Sequence, residues 1–230
     1  MRKRIFSWLA REFISLSGEA RATGSVAEQT DDLFRRFEEA LRESNLSLDH
    51  TVRTRLWTSE REARELATGA RSKILTGKRK AASSSYISAS HFDSGARVAL
   101  DLLAMRPSVA AADRLAVEFE PARLYISQLR YDSVAFVSGF TSERDRLEDQ
   151  VTEIFADIDG ALKAASTTWN RVAKVSVYLS RTQKLDVLKN LLQKANRLEL
   201  GKIEFEFVDG FAGEKALLEI EATALMGGQL

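Results

Sequence analysis

Four segments between Tyr125 and Leu179 decide the fold of this chain. They read Tyr125-Ile-Ser-Gln128, Val134-Ala-Phe-Val-Ser-Gly139, Leu147-Glu-Asp-Gln150 and Asn170-Arg-Val-Ala-Lys-Val-Ser-Val-Tyr-Leu179. The first, second and fourth are rich in apolar, β-branched and aromatic residues, which predicts strands. The third opens a run whose apolar residues recur at the spacing of one helix face. That face consists of Leu147, Val151, Ile154, Phe155, Ile158 and Leu162.

The same succession of signals occurs 121 positions earlier. Ser17-Gly18 corresponds to Ser138-Gly139, and Ala40-Leu41 corresponds to Ala161-Leu162. A repeat of this length indicates two copies of one structural unit. We therefore predict two tandem domains, at residues 1–110 and 111–230, joined through an alanine-rich segment at 107–120. Each has the order strand-strand-helix-strand-helix-strand-strand, which favours an α+β fold with helices on one face of a mixed β-sheet.

Composition narrows the class of function. The chain has 230 residues, a formal net charge of +1, two histidines and no cysteine. These numbers argue against a thiolate or histidine-rich metal site, and we expect neither a metal nor another cofactor. The near-zero charge gives no bulk attraction to nucleic acid or to an anionic membrane, so neither is an expected partner. A basic cluster between Arg71 and Lys80 lacks interleaved aromatic residues, so we interpret it as a solvated loop. We expect a cytoplasmic protein.

Tyr125, the Ser138-Gly139 pair thirteen residues later and Gln150 near the start of a helix resemble the Rid family (reactive intermediate deaminases, YjgF-type). The resemblance covers most of 123–226 and, more loosely, 4–105. It implies two chorismate-mutase-like domains, assembly around a barrel-like core and ligand sites in the clefts between domains. We therefore predict a homo-oligomer, a trimer of two-domain chains, that binds a small molecule.

The resemblance also implies a site with an arginine for a substrate carboxylate and a last-strand glutamate that places water. Glu219 stands at the glutamate position, where the first copy has Ala99. The arginine position falls on Glu204 in the second copy and on Ser84 in the first. The second copy thus keeps more of the site than the first, which looks degenerate. Because neither copy keeps the arginine, we expect poor hydrolysis of simple 2-imino acids.

These positions give a set of candidate site residues. Glu219 is the candidate catalytic acid or base, and Tyr125 and Ser138 are candidates for orienting the ligand. Glu204 occupies a substrate-binding position, and Arg144 could replace the missing anion clamp. Each has a simpler interpretation: a solvated strand residue for Glu219, packing for Tyr125, a tight turn for Ser138, a charged strand edge for Glu204 and an ordinary surface arginine for Arg144.

Three functions remain open from the sequence. The first is a divergent Rid-superfamily enzyme, of imine or enamine deaminase or hydrolase type, acting on a small reactive metabolite. The second is a chorismatase-like hydrolase, because those enzymes also resemble two fused copies of this fold with a glutamate as acid. The third is a non-catalytic protein that binds a metabolite or only builds an oligomer.

Overall fold

The computed structural model describes residues 1–109, 111–195 and 200–227. The elements of the first half are β1 (Arg2–Trp8), β2 (Arg11–Glu19), α1 (Val26–Arg42), β3 (Thr51–Thr58), α2 (Arg61–Ile74), β4 (Ala82–Ile87) and β5 (Val98–Arg106). Those of the second half are β6 (Arg114–Val117), β7 (Gln128–Tyr131), β8 (Val134–Thr141), α3 (Leu147–Ala164), β9 (Val172–Ser180), α4 (Leu185–Ala195), β10 (Ile203–Val208) and β11 (Leu218–Leu225). In the described ranges, no helix has the length and hydrophobicity that crossing a membrane requires.

The strands form two sheets with the same internal order. The first sheet runs β1-β2-β5-β3-β4, and the second runs β6-β7-β8-β11-β9-β10. In each sheet one pair is parallel, β3 with β4 and β9 with β10. The other pairs are antiparallel. The predicted α+β fold with mixed sheets is confirmed, and the second sheet gains β6 as an additional edge strand.

Each sheet is covered on one face by its own pair of helices. Ser25 caps α1 through a reciprocal capping box with Glu28, which satisfies two backbone donors at the helix start. The apolar faces of α1 and α3 then bury themselves against the first and second sheet. The two resulting cores contain different sets of residues, one centred on Leu33, Phe37 and Leu100, the other on Ile154, Ile158 and Ile220. Separate cores of this kind are typical of two domains.

The two sheets meet through the faces that the helices leave uncovered. A third apolar cluster combines Phe13, Val52 and Met105 of the first sheet with Leu129 and Phe136 of the second. Strand β4 lies against β8, and the amide of Ser83 donates to the hydroxyl oxygen of Ser138 over 3.0 Å. We call the place where β4 meets β8 and β11 the domain junction.

Strand register relates Ser84 and Glu204, the two residues that stand where the Rid family has its arginine. Ser84 on β4 lies beside Arg55 on β3, and Glu204 on β10 lies beside Ser176 on β9. Arg55 and Ser176 are themselves 121 residues apart. Ser84 and Glu204 therefore occupy equivalent places in the two sheets, but only Ser84 lies at the domain junction.

Two details differ from the sequence-based expectation. The strand predicted at Tyr125–Gln128 begins only at Gln128, so Tyr125 lies in the segment before β7. The alanine-rich connection contains β6, which pairs with β7. The predicted boundary between residues 110 and 111 stays a prediction, because residue 110 lies outside the described residues.

Candidate functional site at the domain junction

Two glutamates of β11 lie at the centre of the domain junction. Glu219 and Glu221 are two residues apart on the strand and therefore point to the same face of the sheet. That face is the one turned toward the first domain, so both side chains are removed from solvent, with 4% and 1% exposure. Two carboxyl groups this deeply buried need partners, since burying an unpaired charge is costly.

Glu221 is held as a carboxylate by two arginines of β3. Arg55 donates from Nε and Nη2 to Glu221 Oε2, over 3.0 Å and 2.7 Å. Arg53 Nη1 lies 2.7 Å from the same oxygen. The hydroxyl of Ser84 donates to Oε1 over 2.5 Å. Burial acts to raise the pKa of Glu221, but the two guanidinium groups outweigh it and lower that pKa to about 2.

Glu219 has the opposite electrostatic environment. Its carboxyl Oε1 accepts a hydrogen bond of 2.8 Å from the hydroxyl of Tyr86, which also lies 3.2 Å from Glu221 Oε1. Burial, and then the negative charge of Glu221, raise the pKa of Glu219 to about 8. At neutral pH the pair thus consists of a fixed anion at Glu221 and a neutral acid at Glu219.

Aromatic side chains fix the position of Tyr86 between the two carboxyl groups. Its ring stacks on Tyr178 of β9 with a centroid distance of 4.0 Å, and Trp57 lies 5.0 Å away. All three side chains belong to one buried cluster that spans both domains. The hydroxyl that bridges Glu219 and Glu221 is therefore held by packing as well as by hydrogen bonds.

Gly139 of β8 makes room for Glu219. A Cβ atom placed on Gly139 would lie 1.8 Å from Glu219 Oε1 and 2.3 Å from its Cδ. Both distances are far shorter than any van der Waals contact. The Ser138-Gly139 pair is thus explained within the sheet: Gly139 leaves space for the acid, and the Ser138 hydroxyl donates to the carbonyl of Ile126 over 2.7 Å.

We expect Gly139→Ala to destabilise the fold and to displace the acid. Overpacking a buried site costs about 1–3 kcal/mol, and the atom that the new methyl group meets is the carboxyl itself. Urea unfolding measures this cost. The matched control is Gly160→Ala in α3, where an added Cβ meets nothing within 4 Å. That control should stabilise the helix by about 0.5–1 kcal/mol. Equal changes in the free energy of unfolding for Gly139→Ala and Gly160→Ala would contradict the close approach of Glu219 to Gly139.

A cavity of 280 Å³ lies on the α2 side of the domain junction. It is lined by Arg71 of α2, Ser83 of β4, and Tyr125 and Ile126 before β7. Arg71 is buried and donates to the carbonyl of Ser84 over 2.5 Å and to the hydroxyl of Ser85 over 2.9 Å. Burial lowers its pKa to about 10, against the opposing charges of Tyr125 and Glu219. Arg71 thus remains a cation at neutral pH.

Tyr125 is half-buried and also lines this cavity. Its ring meets Phe119 edge-on at 5.3 Å. Burial, followed by the charge of Glu219, raises the pKa of Tyr125, so its hydroxyl stays protonated and can donate a hydrogen bond. Arg71 and Tyr125 line the cavity, and both lie within the electrostatic reach of Glu219, which is not one of its lining residues.

The structure brings together three of the five residues that the sequence singled out. Glu219, Ser138 and Tyr125 lie at the domain junction. Glu204 does not: it is 70% exposed on β10 and pairs with Lys174 at 2.7 Å. Arg144 does not either, because it is 64% exposed and pairs with Glu153 at 3.2 Å.

Sequence reasoning missed the residues that the first domain contributes. Arg71 was interpreted as part of a solvated basic cluster, and this interpretation is wrong for Arg71, which is 3% exposed. Its spacing was the available signal, since Ala63, Ala67 and Arg71 follow one another at helical intervals of four. Arg53 and Tyr86 carried no comparable signal, because their partners lie more than 130 residues away in sequence.

Metal binding finds no support at this site. Among the residues that the structure describes, no group of three or more histidine, aspartate or glutamate side chains could hold an ion. The two junction carboxyl groups are instead occupied by arginine, serine and tyrosine.

Comparison with known proteins adds information on the fold. No family model matches the chain, and no curated protein matches it either. Among solved structures, a chorismatase is similar over 93% of this chain and 74% of its own, with 15% identity and a TM-score of 0.66. YjgF-family structures from Mycobacterium tuberculosis and Neisseria meningitidis each cover 50% of this chain, and 100% and 97% of their own. Their identities are 24% and 18%, and both TM-scores are 0.42.

The likeness to chorismatase extends over almost the whole chain. Together with the strand order that both sheets share, it shows a tandem pair of Rid-like, chorismate-mutase-like domains. The fold class inferred from Tyr125, Ser138 and the repeat is therefore confirmed.

Proposed function

We propose that this protein adds water to a small anionic metabolite that carries an electron-rich carbon–carbon double bond, an enamine in the first place. The observation that carries the proposal is Glu219, a buried neutral acid beside the fixed anion Glu221. A carboxylic acid kept protonated at pH 7 can deliver a proton in the transition state, which typically contributes about 10²–10⁴ to the rate. Glu219 is the catalytic residue in this proposal.

The reaction begins with proton transfer from Glu219 to the terminal carbon of the enamine. The nitrogen lone pair forms the C=N bond as the C=C electrons take up the proton, and Glu219 is left as a carboxylate. Water then adds to the carbon of the iminium ion and returns a proton to Glu219. The carbinolamine breaks its C–N bond to give a ketone and ammonia. Atoms and charges balance without a cofactor.

The surrounding residues have separate roles in this scheme. Tyr86 donates to Oε1 of Glu219 and orients the acid. Arg71 supplies the positive charge for the substrate anion. It takes the role of the family's arginine, whose two positions in this chain are occupied by Ser84 and Glu204. Tyr125 lines the same cavity as Arg71. All of these residues belong to one chain, so the site needs no partner subunit, and the trimer of two-domain chains stays a prediction.

The acid form of Glu219 also bears on the choice of substrate. A simple 2-imino acid already has its C=N bond and needs a base to activate water, and a group with a pKa of about 8 is mostly protonated at pH 7. We therefore retain the expectation of poor 2-imino acid hydrolysis, now on the basis of the acid rather than of Glu204. The 280 Å³ cavity is small for a ligand site, since such sites usually measure roughly 300–1,000 Å³. A metabolite of a few carbons suits it.

An enol ether is the second candidate substrate. Protonation of its terminal carbon gives an oxocarbenium ion, which water converts to a ketone and an alcohol by the same sequence of steps. The likeness to chorismatase over 93% of the chain supports this candidate. Parallel assays with chorismate and with enamines formed in situ separate the two. Turnover of neither would favour a non-catalytic binding protein.

We expect Arg71→Gln to weaken binding of the anionic substrate with little change in kcat. A charge-assisted hydrogen bond contributes about 1.5–3 kcal/mol, so KM should rise roughly tenfold to a hundredfold. Steady-state kinetics on whichever substrate the panel identifies measures this separation of KM from kcat. Arg146→Gln is the control, because Arg146 is exposed and pairs with Glu148 on the surface. An unchanged KM in Arg71→Gln would remove Arg71 from the site.

A further inference from the structure

A second and larger cavity opens between the uncovered faces of the two sheets. We call it the intersheet cleft, and its volume is 520 Å³. Arg53, Arg55 and Glu221 line it, together with Lys174, Lys202 and Arg4. Of the residues that the structure describes, none lines both this cleft and the 280 Å³ cavity at Arg71. A ligand could therefore occupy the cleft without entering the 280 Å³ cavity, and Glu221 is the residue that connects the cleft to the buried acid Glu219.

Charge in the intersheet cleft is unbalanced at its base. Arg53 and Arg55 share the single carboxylate of Glu221, so two positive charges face one negative charge. Asp101, the next acidic residue on the wall, accepts a hydrogen bond of 2.8 Å from Trp57. Arg4 and Lys174 add further positive charge to the lining. Such a cavity attracts an anion.

One donor atom of Arg53, Nη1, has no hydrogen bond. Its side chain is 4% exposed, and Nη2 donates to the carbonyl of Ala222 over 2.8 Å. Nη1 lies near Glu221, but at an angle that leaves it without a hydrogen bond. Buried guanidinium donors are normally satisfied, since leaving one unpaired costs free energy. Arg53, which lines the cleft, thus has one guanidinium donor without a hydrogen bond.

One wall of the intersheet cleft is apolar. Phe6 and Trp8 of β1 line it with Leu103 of β5. Both aromatic rings pack on Phe13, at centroid distances of 5.7 Å and 5.5 Å, and are thereby fixed in place. An apolar surface beside convergent polar groups is the usual composition of a small-molecule site, and the volume lies within the usual range of roughly 300–1,000 Å³.

From these observations we propose that the intersheet cleft binds a small organic acid. Its anionic group lies at Arg53 and Arg55, and its apolar body lies against Phe6 and Trp8. This inference does not depend on the proposed function of Glu219, because the two cavities have different linings within the described part of the chain. It adds a second ligand site to the chain.

The ion pair between Lys174 and Glu204 provides a matched test. Both residues line the intersheet cleft and lie 2.7 Å apart, so neutralising either one breaks the same ion pair. The two substitutions nevertheless change the charge of the cleft in opposite directions. Calorimetric titration of the full chain with benzoate should show weaker binding for Lys174→Gln and tighter binding for Glu204→Gln. We expect about two- to fivefold in each direction.

Two further arms complete the experiment. Lys215→Gln breaks an exposed ion pair with Asp145 away from the cleft and should leave benzoate binding unchanged. Acetate, which has the carboxylate without the apolar body, should bind more weakly than benzoate. Shifts of Lys174→Gln and Glu204→Gln in the same direction, or no binding of benzoate, would overturn the proposal. Equal affinity for acetate and benzoate would overturn the contact with Phe6 and Trp8.

Discussion

Replacing Glu219 by glutamine is expected to abolish most turnover while the protein stays folded. Glutamine has the same shape and can still accept the hydrogen bond from Tyr86, but it has no acidic proton to transfer. General acid catalysis by a positioned side chain contributes about 10²–10⁴, so kcat should fall by that factor on the enamine or enol ether that the wild type accepts. Steady-state rates at pH 7 measure the loss.

The control for this substitution is Glu148→Gln, which also neutralises a glutamate. Glu148 is exposed at the start of α3 and pairs with Arg146 at 3.1 Å. Its removal should leave turnover unchanged, since the residue lies outside the domain junction. A Glu219→Gln enzyme that retains turnover within tenfold of the wild type would show that the acid lies elsewhere.

Replacing Glu221 by glutamine is expected to produce the largest loss of stability. Arg53 and Arg55 would then lie buried without a carboxylate. Breaking a buried ion pair by removing one partner typically costs about 3–5 kcal/mol. Urea unfolding at pH 7 measures the free energy of unfolding, and Glu148→Gln again serves as the control, with an expected change of about 0–1 kcal/mol for an exposed pair.

The dependence of this loss on pH follows from the lowered pKa of Glu221. A carboxyl group whose pKa falls from 4.5 to about 2 on folding contributes stability that is fully present above pH 4.5. That contribution is lost progressively as the pH falls from 4.5 toward 2. The gap between wild type and Glu221→Gln should therefore narrow over this range. A gap below 1 kcal/mol at pH 7 would contradict the buried triad of Glu221, Arg53 and Arg55.

The fold could be predicted from the sequence because its strands and helices are marked by local patterns of apolar residues, and these patterns occur twice in the chain. The apolar residues from Leu147 to Leu162 recur at the spacing of one helix face. The Ser-Gly pairs at 17–18 and 138–139 lie 121 residues apart, which is the offset of the repeat. Each pattern reports on its own segment, and the repeat doubles the information. The start of β7 was not predicted correctly: the strand begins at Gln128, and Tyr125 lies in the segment before it.

The site was only partly predictable because it is built from both domains. Glu219, Tyr125 and Ser138 belong to the copy that carries the family pattern, and all three lie at the domain junction. Tyr86, the partner of Glu219, and Ser83, the partner of Ser138, come from the copy that the sequence marks as degenerate. No local pattern tells which face of one sheet will pack against the other, so the sequence could not choose Ser84 over Glu204 as the residue that lies at the domain junction beside Glu221.

The pKa of Glu219 is the quantity on which the account depends most directly. Carbon-13 NMR of a sample labelled at the glutamate carboxyl carbons follows each titration, and the signal missing from Glu219→Gln identifies Glu219. The buried pair should titrate in two well-separated steps, since coupled groups share their apparent pKa values. We predict that Glu219 titrates at a pH of about 8, with Glu221 still ionised down to about pH 2. Titration of Glu219 near its ordinary pKa of 4.5 would contradict the account.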